Sequence, residues 1–324
     1  MLIIAGEALI DLVIRTDQSV EAALGGAPYN TARAAARLGV DVHFIGCVST
    51  DRFGERLIEQ LRADGVQTDA APRTELPTTL AAAEIGSSGS ATYRFYLEGT
   101  SAPAVGSDVL RAALERARES RPIDDSLESS EIFFTGGLGL VLEPMADSIA
   151  SAVERLADDT LFFLDVNCRP SVIDDRARYL ERLRTVLDRA DVVKASDEDL
   201  EYLFPGAELT DAVASVLESG ARSVVVTAGA GPTLVADRTR SIEVPVRPIV
   251  GALVDTIGAG DTFGAGMIAW WDAAALGRDD VSVELLASAV EAGHAASAIV
   301  VTRRGADPPY RRELGGDWQL REDG

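Results

Sequence analysis

Short apolar runs that alternate with helix-length amphipathic segments constrain the fold of this chain more than any other feature. From residue 107 onward, strand patterns at 131–135 and 161–166 alternate with helical patterns at 144–157 and 174–190. Such alternation implies βα units and a mostly parallel sheet. Residues 2–6 form a fully apolar run, as expected of a strand buried on both faces. We therefore predict an α/β protein with a mostly parallel central sheet.

One part of the chain interrupts the alternation. Residues 78–85 and 91–97 are β-prone, and the Gly/Ser segment 86–90 joins them without a helical pattern. Two such runs around a short Gly/Ser turn predict a hairpin. Residues 7–15 alternate between apolar and polar side chains, which predicts a half-exposed strand that leaves the main sheet.

Composition and charge exclude several functions. The chain has 324 residues, enough for one large domain, and a formal net charge of −22. That charge disfavours a nucleic-acid partner, because the acids would repel a phosphate backbone. Two cysteines and two histidines, without clustering, predict neither a zinc site nor a disulfide framework. We found no signal-peptide pattern and no 18-residue apolar stretch, so we expect no membrane span and a cytoplasmic location.

A glycine-rich turn before a helical segment is the strongest chemical signal. Gly258, Ala259 and Gly260 are followed by Asp261 and by a proline-free apolar run. A turn that feeds a helix leaves backbone amides unpaired, and these favour a phosphate. A carboxylate beside that site would repel phosphate but suits the deprotonation of an attacking hydroxyl. The alternative is that Asp261 is only a helix N-cap.

Two motifs resemble those of the ribokinase (PfkB) family of sugar and nucleoside kinases. DTIGAGDTF at residues 255–263 resembles the family's anion-hole signature, and GGAPYN at 25–30 resembles its sugar-binding element. The resemblance implies a ribokinase-like three-layer α/β/α sandwich at residues 1–314, with a small β-sheet lid. The lid strands would come from about 10–16 and 78–98. Residues 315–324 would be a polar tail.

The resemblance also assigns roles at the sugar end. Asp261 would be the catalytic base, and the amides of the Gly258–Gly260 turn the anion hole. The expected sugar-binding residues are Asp11, Gly25, Gly26, Asn30, Arg94 and Arg169. The aromatic strand at 91–97 would face either the sugar or a second subunit, and we predict a homodimer joined through the lid.

Further segments resemble the nucleotide half of the family. The expected ATP-binding residues are Asn167, Lys194, Ser196, Thr227, Gly229, Gly231, His294 and Ala298. Ser196 and Asp199 stand where many members carry Asn and Glu, which order magnesium-bound water. Because Asp is one methylene shorter than Glu, Glu198 is an alternative to Asp199 for this role.

A monovalent-cation site behind the anion hole is the last implied feature. Its ligands would be Asp255 and backbone carbonyls at Ile257, Val300, Arg303 and Gly305. An acid six residues before the base fits this role. The alternative is a hydrogen-bonded turn residue.

Together these features predict an ATP-dependent sugar kinase that uses Mg²⁺ and K⁺ or another monovalent cation. Bacterial fructokinases are the most similar group. The first alternative is 2-keto-3-deoxygluconate kinase, which Glu98 disfavours if it faces the sugar. The second is a ribokinase or nucleoside kinase, and a non-enzymatic alternative is a sugar sensor that keeps the fold. A P-loop is excluded, because Lys194, the only lysine, follows no glycine-rich GxxxxG pattern.

Overall fold

A computed structural model describes residues 1–85, 91–120 and 130–315. The strands in these ranges are β1 (Leu2–Ala5), β2 (Leu9–Ile14), β3 (Val20–Gly25), β4 (Val42–Ile45), β5 (Val48–Ser49), β6 (Arg73–Thr74), β7 (Leu80–Ile85), β8 (Ala91–Tyr96), β9 (Ile132–Gly136), β10 (Leu161–Asp165), β11 (Val192–Ser196), β12 (Ser223–Thr227), β13 (Thr233–Asp237) and β14 (Ser241–Val244).

The helices in the same ranges are α1 (Ala27–Arg37), α2 (Arg52–Ala63), α3 (Ser107–Glu119), α4 (Met145–Val153), α5 (Arg176–Arg189), α6 (Asp197–Leu203), α7 (Leu209–Glu218), α8 (Ala259–Ala273) and α9 (Val283–Val300). A 3₁₀ turn, Gly137–Leu140, follows β9.

The central sheet has eight strands in the order β14-β13-β12-β11-β10-β9-β1-β4. All neighbours from β4 to β12 are parallel, and β13 and β14 add an antiparallel edge. The chain passes from β1 to β4 on one side and later returns to β9 on the other. Ligands bind at such a switch point, outside the carboxyl ends of the strands.

Helices cover both faces of the sheet and form two apolar cores. One core lies under α3, α4, α5, α6 and α7, and the other under α1, α2, α8 and α9. Strand β1 is completely buried, as its apolar run predicts. The predicted three-layer α/β/α architecture is therefore confirmed.

A second sheet, with the order β3-β2-β7-β8, forms the lid. Strand β2 and the pair β7 and β8 were expected, whereas β3 was not. The predicted turn at 86–90 and most of the predicted tail lie outside the described residues. Residues 42–49 form two short strands, β4 and β5, and the sequence did not indicate α6 or α7.

Helix α9 meets the length and composition of a membrane span, the one helix to do so within the ranges described above. It packs against α8 and against β13 and β14, and 56% of it is buried inside the protein. A core helix satisfies the same test, so length and composition alone carry little weight here.

Candidate active site

A cavity of about 660 Å³ lies at the carboxyl ends of the central strands. Predicted site residues that line it are Asp11, Gly26, Asn30, Asn167, Arg169, Glu198, Ile257, Gly258, Gly260 and Asp261. Glu7 and Thr256, which the sequence analysis did not assign to the site, also line it, and so does Phe95 of the aromatic strand at 91–97. The two signature motifs, over 200 residues apart in sequence, thus meet at one cavity.

The glycine-rich turn starts helix α8 earlier than predicted. The helix begins at Ala259, with Gly258 as its N-cap in the left-handed conformation (φ 75°). A side chain at 258 would be strained there, and its Cβ would come within 2.7 Å of the Ala306 methyl group. Asp261 therefore lies within the first turn and is not the N-cap. The acid instead projects from the positive end of the helix, where its charge is favoured.

The amides of this turn are not all available to an anion. The Ala259 N–H donates to the Thr256 carbonyl at 3.1 Å. The Thr262 N–H donates to the Gly258 carbonyl at 2.9 Å, which is the first regular helical bond. An anion site at this helix end therefore relies on the amides beside Ala259, chiefly that of Gly260.

Asp261 is held by an amide from the other motif. Asn30 Nδ2 donates to Asp261 Oδ2 at 2.9 Å. Burial raises the pKa of Asp261 to about 6, the bond from Asn30 opposes that rise, Asp165 adds to it, and Lys194 and Arg169 oppose it. A carboxylate with this pKa is mostly ionised near neutral pH, yet basic enough to accept a proton.

Lys194 lies beneath the turn and does not line the cavity. Its Nζ donates to Asp165 Oδ2 at 2.7 Å, and both side chains are buried. Burial alone would lower the Lys194 pKa, but the attraction of Asp165 outweighs it, so the pKa is raised and the lysine stays charged. This buried cation faces the underside of α8.

In the part of the cavity where the sugar is expected to bind, the Gly25-Gly26 pair leaves room for the carboxylate of Asp11. Asp11, on β2, lines the cavity, and burial raises its pKa to about 6 while Arg169 opposes the rise. A Cβ at Gly25 would lie 2.1 Å from Asp11 Oδ2. Only glycine at position 25 therefore leaves the Asp11 carboxylate in place.

Glu7 is a further cavity residue, which the sequence analysis did not assign. It is 2% exposed and follows β1. Burial raises its pKa to about 8, against the effect of its backbone hydrogen bonds and of Arg169. A charged residue directly after a buried parallel strand was the available signal, because such positions face the ligand edge of the sheet.

The two acids considered for magnesium have different environments. Asp199 is buried and accepts hydrogen bonds from the backbone and hydroxyl of Ser196 and from the Cys168 amide. Ser196 and Asp199 form the capping box of α6. Glu198 is exposed and lines the cavity. Of the two, Glu198 is the acid that faces a ligand.

Several residues expected to bind the nucleotide lie outside this cavity. Thr227 ends β12, and Gly229 and Gly231 lie in the turn before β13. His294 is buried, and its Nε2 lies 2.9 Å from Thr233 Oγ1. Ala298 lies on α9. These residues share the β12 side of the molecule, and the histidine forms a core hydrogen bond.

The proposed cation residues come together in part. Asp255 Oδ1 accepts from the Ile257 amide at 3.0 Å, and its Oδ2 accepts from the Gly305 amide at 2.9 Å. The Val300 carbonyl accepts from the Arg303 amide at 2.9 Å. Asp255 therefore links the Gly258–Gly260 turn to the 305 loop through two backbone amides, which also fits the alternative of a hydrogen-bonded turn residue. The cation site stays a prediction.

The lid residues are placed differently from expectation. Arg94 is exposed, and its Nε donates to Glu84 at 3.2 Å. Glu98 lines a separate cavity of about 510 Å³. Phe95 lines the main cavity instead. Successive strand residues face opposite sides, so a one-residue difference decides which side chain faces the sugar end.

Comparison with known proteins identifies the family. The model of the pfkB family carbohydrate kinases matches residues 1–312. The chain belongs to this family. Its pfkB relatives include a fructokinase of Rhizobium leguminosarum bv. trifolii, 33% identical over 83% of this chain and 79% of that protein. A fructokinase of Salmonella typhimurium is 28% identical over 96% and 97%.

Solved structures agree with this pfkB assignment. The fructokinase from Xylella fastidiosa, determined with bound ATP, superposes with a TM-score of 0.83 at 28% identity, over 97% of each chain. The predicted family and fold are confirmed. The protein is an ATP-dependent sugar kinase of the pfkB family, most like the fructokinases.

Proposed function

We propose that this kinase transfers the γ-phosphoryl group of ATP to a primary hydroxyl of fructose, with Asp261 as the base. The observation that carries the proposal is the position of Asp261. Its carboxylate lies in the cavity at the N-terminus of α8 and is oriented by Asn30 at 2.9 Å. A base must be within reach of the hydroxyl that it deprotonates, and this carboxylate faces the space available to one.

The chemical step needs a base and an anion site. Asp261 takes the hydroxyl proton as the oxygen attacks the γ-phosphorus, and the bond to the β-phosphate oxygen breaks to release ADP. The turn at Gly258–Gly260 and the α8 dipole stabilise the charge on the transferred group. Asp261 then passes its proton to solvent. Lys194, charged beneath the turn, favours the ionised base before the reaction.

Other residues would hold the nucleotide and its cations. Asn167 and Arg169, just after β10, line the cavity and suit phosphate contacts. Among the residues that the structure describes, no group of three or more His, Cys, Asp or Glu side chains suits a metal ion. Magnesium, which neutralises phosphate charge, usually binds through substrate phosphates and one or two carboxylates, and Glu198 would supply such a carboxylate here. The Asp255 loop would hold a monovalent cation.

The choice of sugar is supported by the charges around the cavity. Four acids line it, Glu7, Asp11, Glu198 and Asp261, and Arg169 is the one basic side chain among its described lining residues. Such a site suits neutral hydroxyls better than a sugar carboxylate. Similarity to fructokinases points the same way. The alternatives remain 2-keto-3-deoxygluconate, which Arg169 would have to recruit, and then ribose or a nucleoside.

Replacement of the base tests the proposal. Asp261→Asn keeps the shape of the side chain but removes its basicity, so kcat with fructose should fall by on the order of 10²–10⁴. Titration calorimetry should show nearly unchanged affinity for ATP and fructose. Asp272→Asn is the matched control, because Asp272 lies on the same helix but faces the Met1 amino group. A loss of less than tenfold in kcat for Asp261→Asn would contradict the proposed mechanism.

A further inference from the structure

We propose that Glu7 is a positioning residue for the sugar side of the reaction. It acts by anchoring the first turn of α1, which carries Asn30. This inference rests on the proposed function of Asp261, because Asn30 is the residue that connects the two. Glu7 itself has no reacting atom to contact in this scheme.

The Glu7 carboxylate connects three parts of the cavity wall. Oε1 accepts from the Ala27 amide at 3.0 Å, and Oε2 accepts from the Gly139 amide at 3.0 Å. Glu7 follows β1, Ala27 is the first residue of α1, and Gly139 lies in the 3₁₀ turn after β9. One side chain thus fixes a helix start and a turn to the switch point of the sheet.

Burial of the Glu7 carboxyl group must be compensated by other interactions. A carboxyl group removed from water loses solvation unless hydrogen bonds replace it. None of the salt bridges formed by the described residues includes Glu7, so two backbone amides supply the replacement. An apolar side chain could fill the same volume, but it would leave both amides unpaired. The acid is therefore matched to the two turns that it joins.

The hydrogen bonds of Glu7 affect the proposed reaction through Asn30. It lies three residues after Ala27 in α1, and its amide nitrogen holds Asp261. Its Oδ1 is buried and has no hydrogen-bond partner among the described residues, although the side chain lines the cavity. A sugar hydroxyl is the donor that would satisfy this oxygen. Glu7 therefore sets the position of an amide that would bridge the substrate and the base.

The test compares Glu7→Gln with Glu7→Ala in the full-length kinase. Gln keeps the shape but has one acceptor oxygen, whereas Ala has none. We expect kcat/KM for fructose to fall at least about tenfold in Glu7→Gln and further in Glu7→Ala. KM for ATP should stay within about twofold of wild type. The control is Glu84→Gln, which removes an exposed lid acid paired with Arg94 and should leave all constants unchanged.

A double-variant cycle separates positioning from general support of the fold. If Glu7 acts through Asn30, Glu7→Gln should cost no more than about twofold in the Asn30→Ala background. Additive losses, equal increases in KM for both substrates, or wild-type kinetics in Glu7→Gln would each overturn the proposal. Should Glu7→Gln not fold, Glu7→Asp keeps both carboxyl oxygens with a shorter reach and should show the same selective loss for sugar. Failure here leaves the outcome of Asp261→Asn unaffected, so the two proposals are tested separately.

Discussion

The hydrogen bond between Asn30 and Asp261 predicts how activity depends on pH. If Asp261 is the base, as proposed above, it acts only when ionised, so kcat/KM for the sugar should decline as pH falls through its pKa, about 6. The bond from Asn30 favours the ionised form and holds that pKa down. Asn30→Ala removes the donor, and the acid limb of the profile should therefore move to higher pH.

The size of the shift follows from the geometry. A hydrogen bond to a charged group contributes about 1.5–3 kcal/mol, and 1.36 kcal/mol corresponds to one pKa unit. Because Asp261 is half-buried and water would replace part of the lost bond, the lower end applies, about one unit. At pH 5.5 the ionised fraction would then fall from about a quarter to about 3%, roughly an eightfold loss. At pH 8 ionisation would change little.

The assay is ADP release measured from pH 5 to pH 9 at constant ionic strength. Asn30→Ala should also bind sugar more weakly, and this loss should be the same at every pH, so only the shift of the limb reports the pKa. Asp272→Asn, on the far end of α8, should leave the limb in place. An acid limb that stays at the wild-type pH in Asn30→Ala would refute the assignment of Asp261 as the titrating base.

Three further predictions concern cation, sugar and assembly. Activity should rise when potassium replaces a bulky organic cation at fixed ionic strength, because Asp255 joins the anion-hole loop to Gly305; equal rates in both salts would contradict this. Under saturating MgATP, kcat/KM should be at least about tenfold higher for fructose than for 2-keto-3-deoxygluconate. The reason is that a sugar carboxylate ~4 Å from Asp11 costs about 1–4 kcal/mol of binding free energy. A higher kcat/KM for 2-keto-3-deoxygluconate would favour that sugar as the substrate instead. Light scattering at micromolar concentration should give twice 34.2 kDa, because β8 is a lid edge with Tyr96 56% exposed; a monomer mass would exclude the lid dimer.

Local sequence signals predicted most of the fold and several of the residues that meet at the main cavity. The Gly258–Asp261 turn, the strand before Gly6 and the alternating βα pattern each depend on neighbours in sequence. Strand β3 was missed because its Val-Glu-Ala-Ala-Leu-Gly segment has weak strand propensity and is held by pairing with β2. Strand β3 therefore depends on a tertiary contact, its pairing with β2, which a short sequence segment does not reveal.

Motif resemblance was least informative where a residue type has two uses. Ser196 and Asp199 match a nucleotide motif by position, but their spacing is also that of a capping box, and the structure shows the cap. Arg94 was favoured as a charged residue near aromatics, yet strand alternation turns Phe95 toward the cavity. Glu7 matches no motif that the sequence analysis used. Its proposed role depends on hydrogen bonds to amides at residues 27 and 139, which are distant in sequence.

The space around Lys194 explains why this position holds the only lysine of the chain. The chain has 30 basic residues, and all except Lys194 are arginines. A Cβ at Gly260 would lie 3.5 Å from Lys194 Nζ, and one at Gly264 3.8 Å from its Cδ. These glycines share one face of α8, so the lysine fills a narrow space between that face and Asp165. An ammonium group is compact, whereas a guanidinium is broad and planar. The narrow space beneath the Gly258–Gly260 turn therefore accounts for a lysine at position 194, since a guanidinium group is broader.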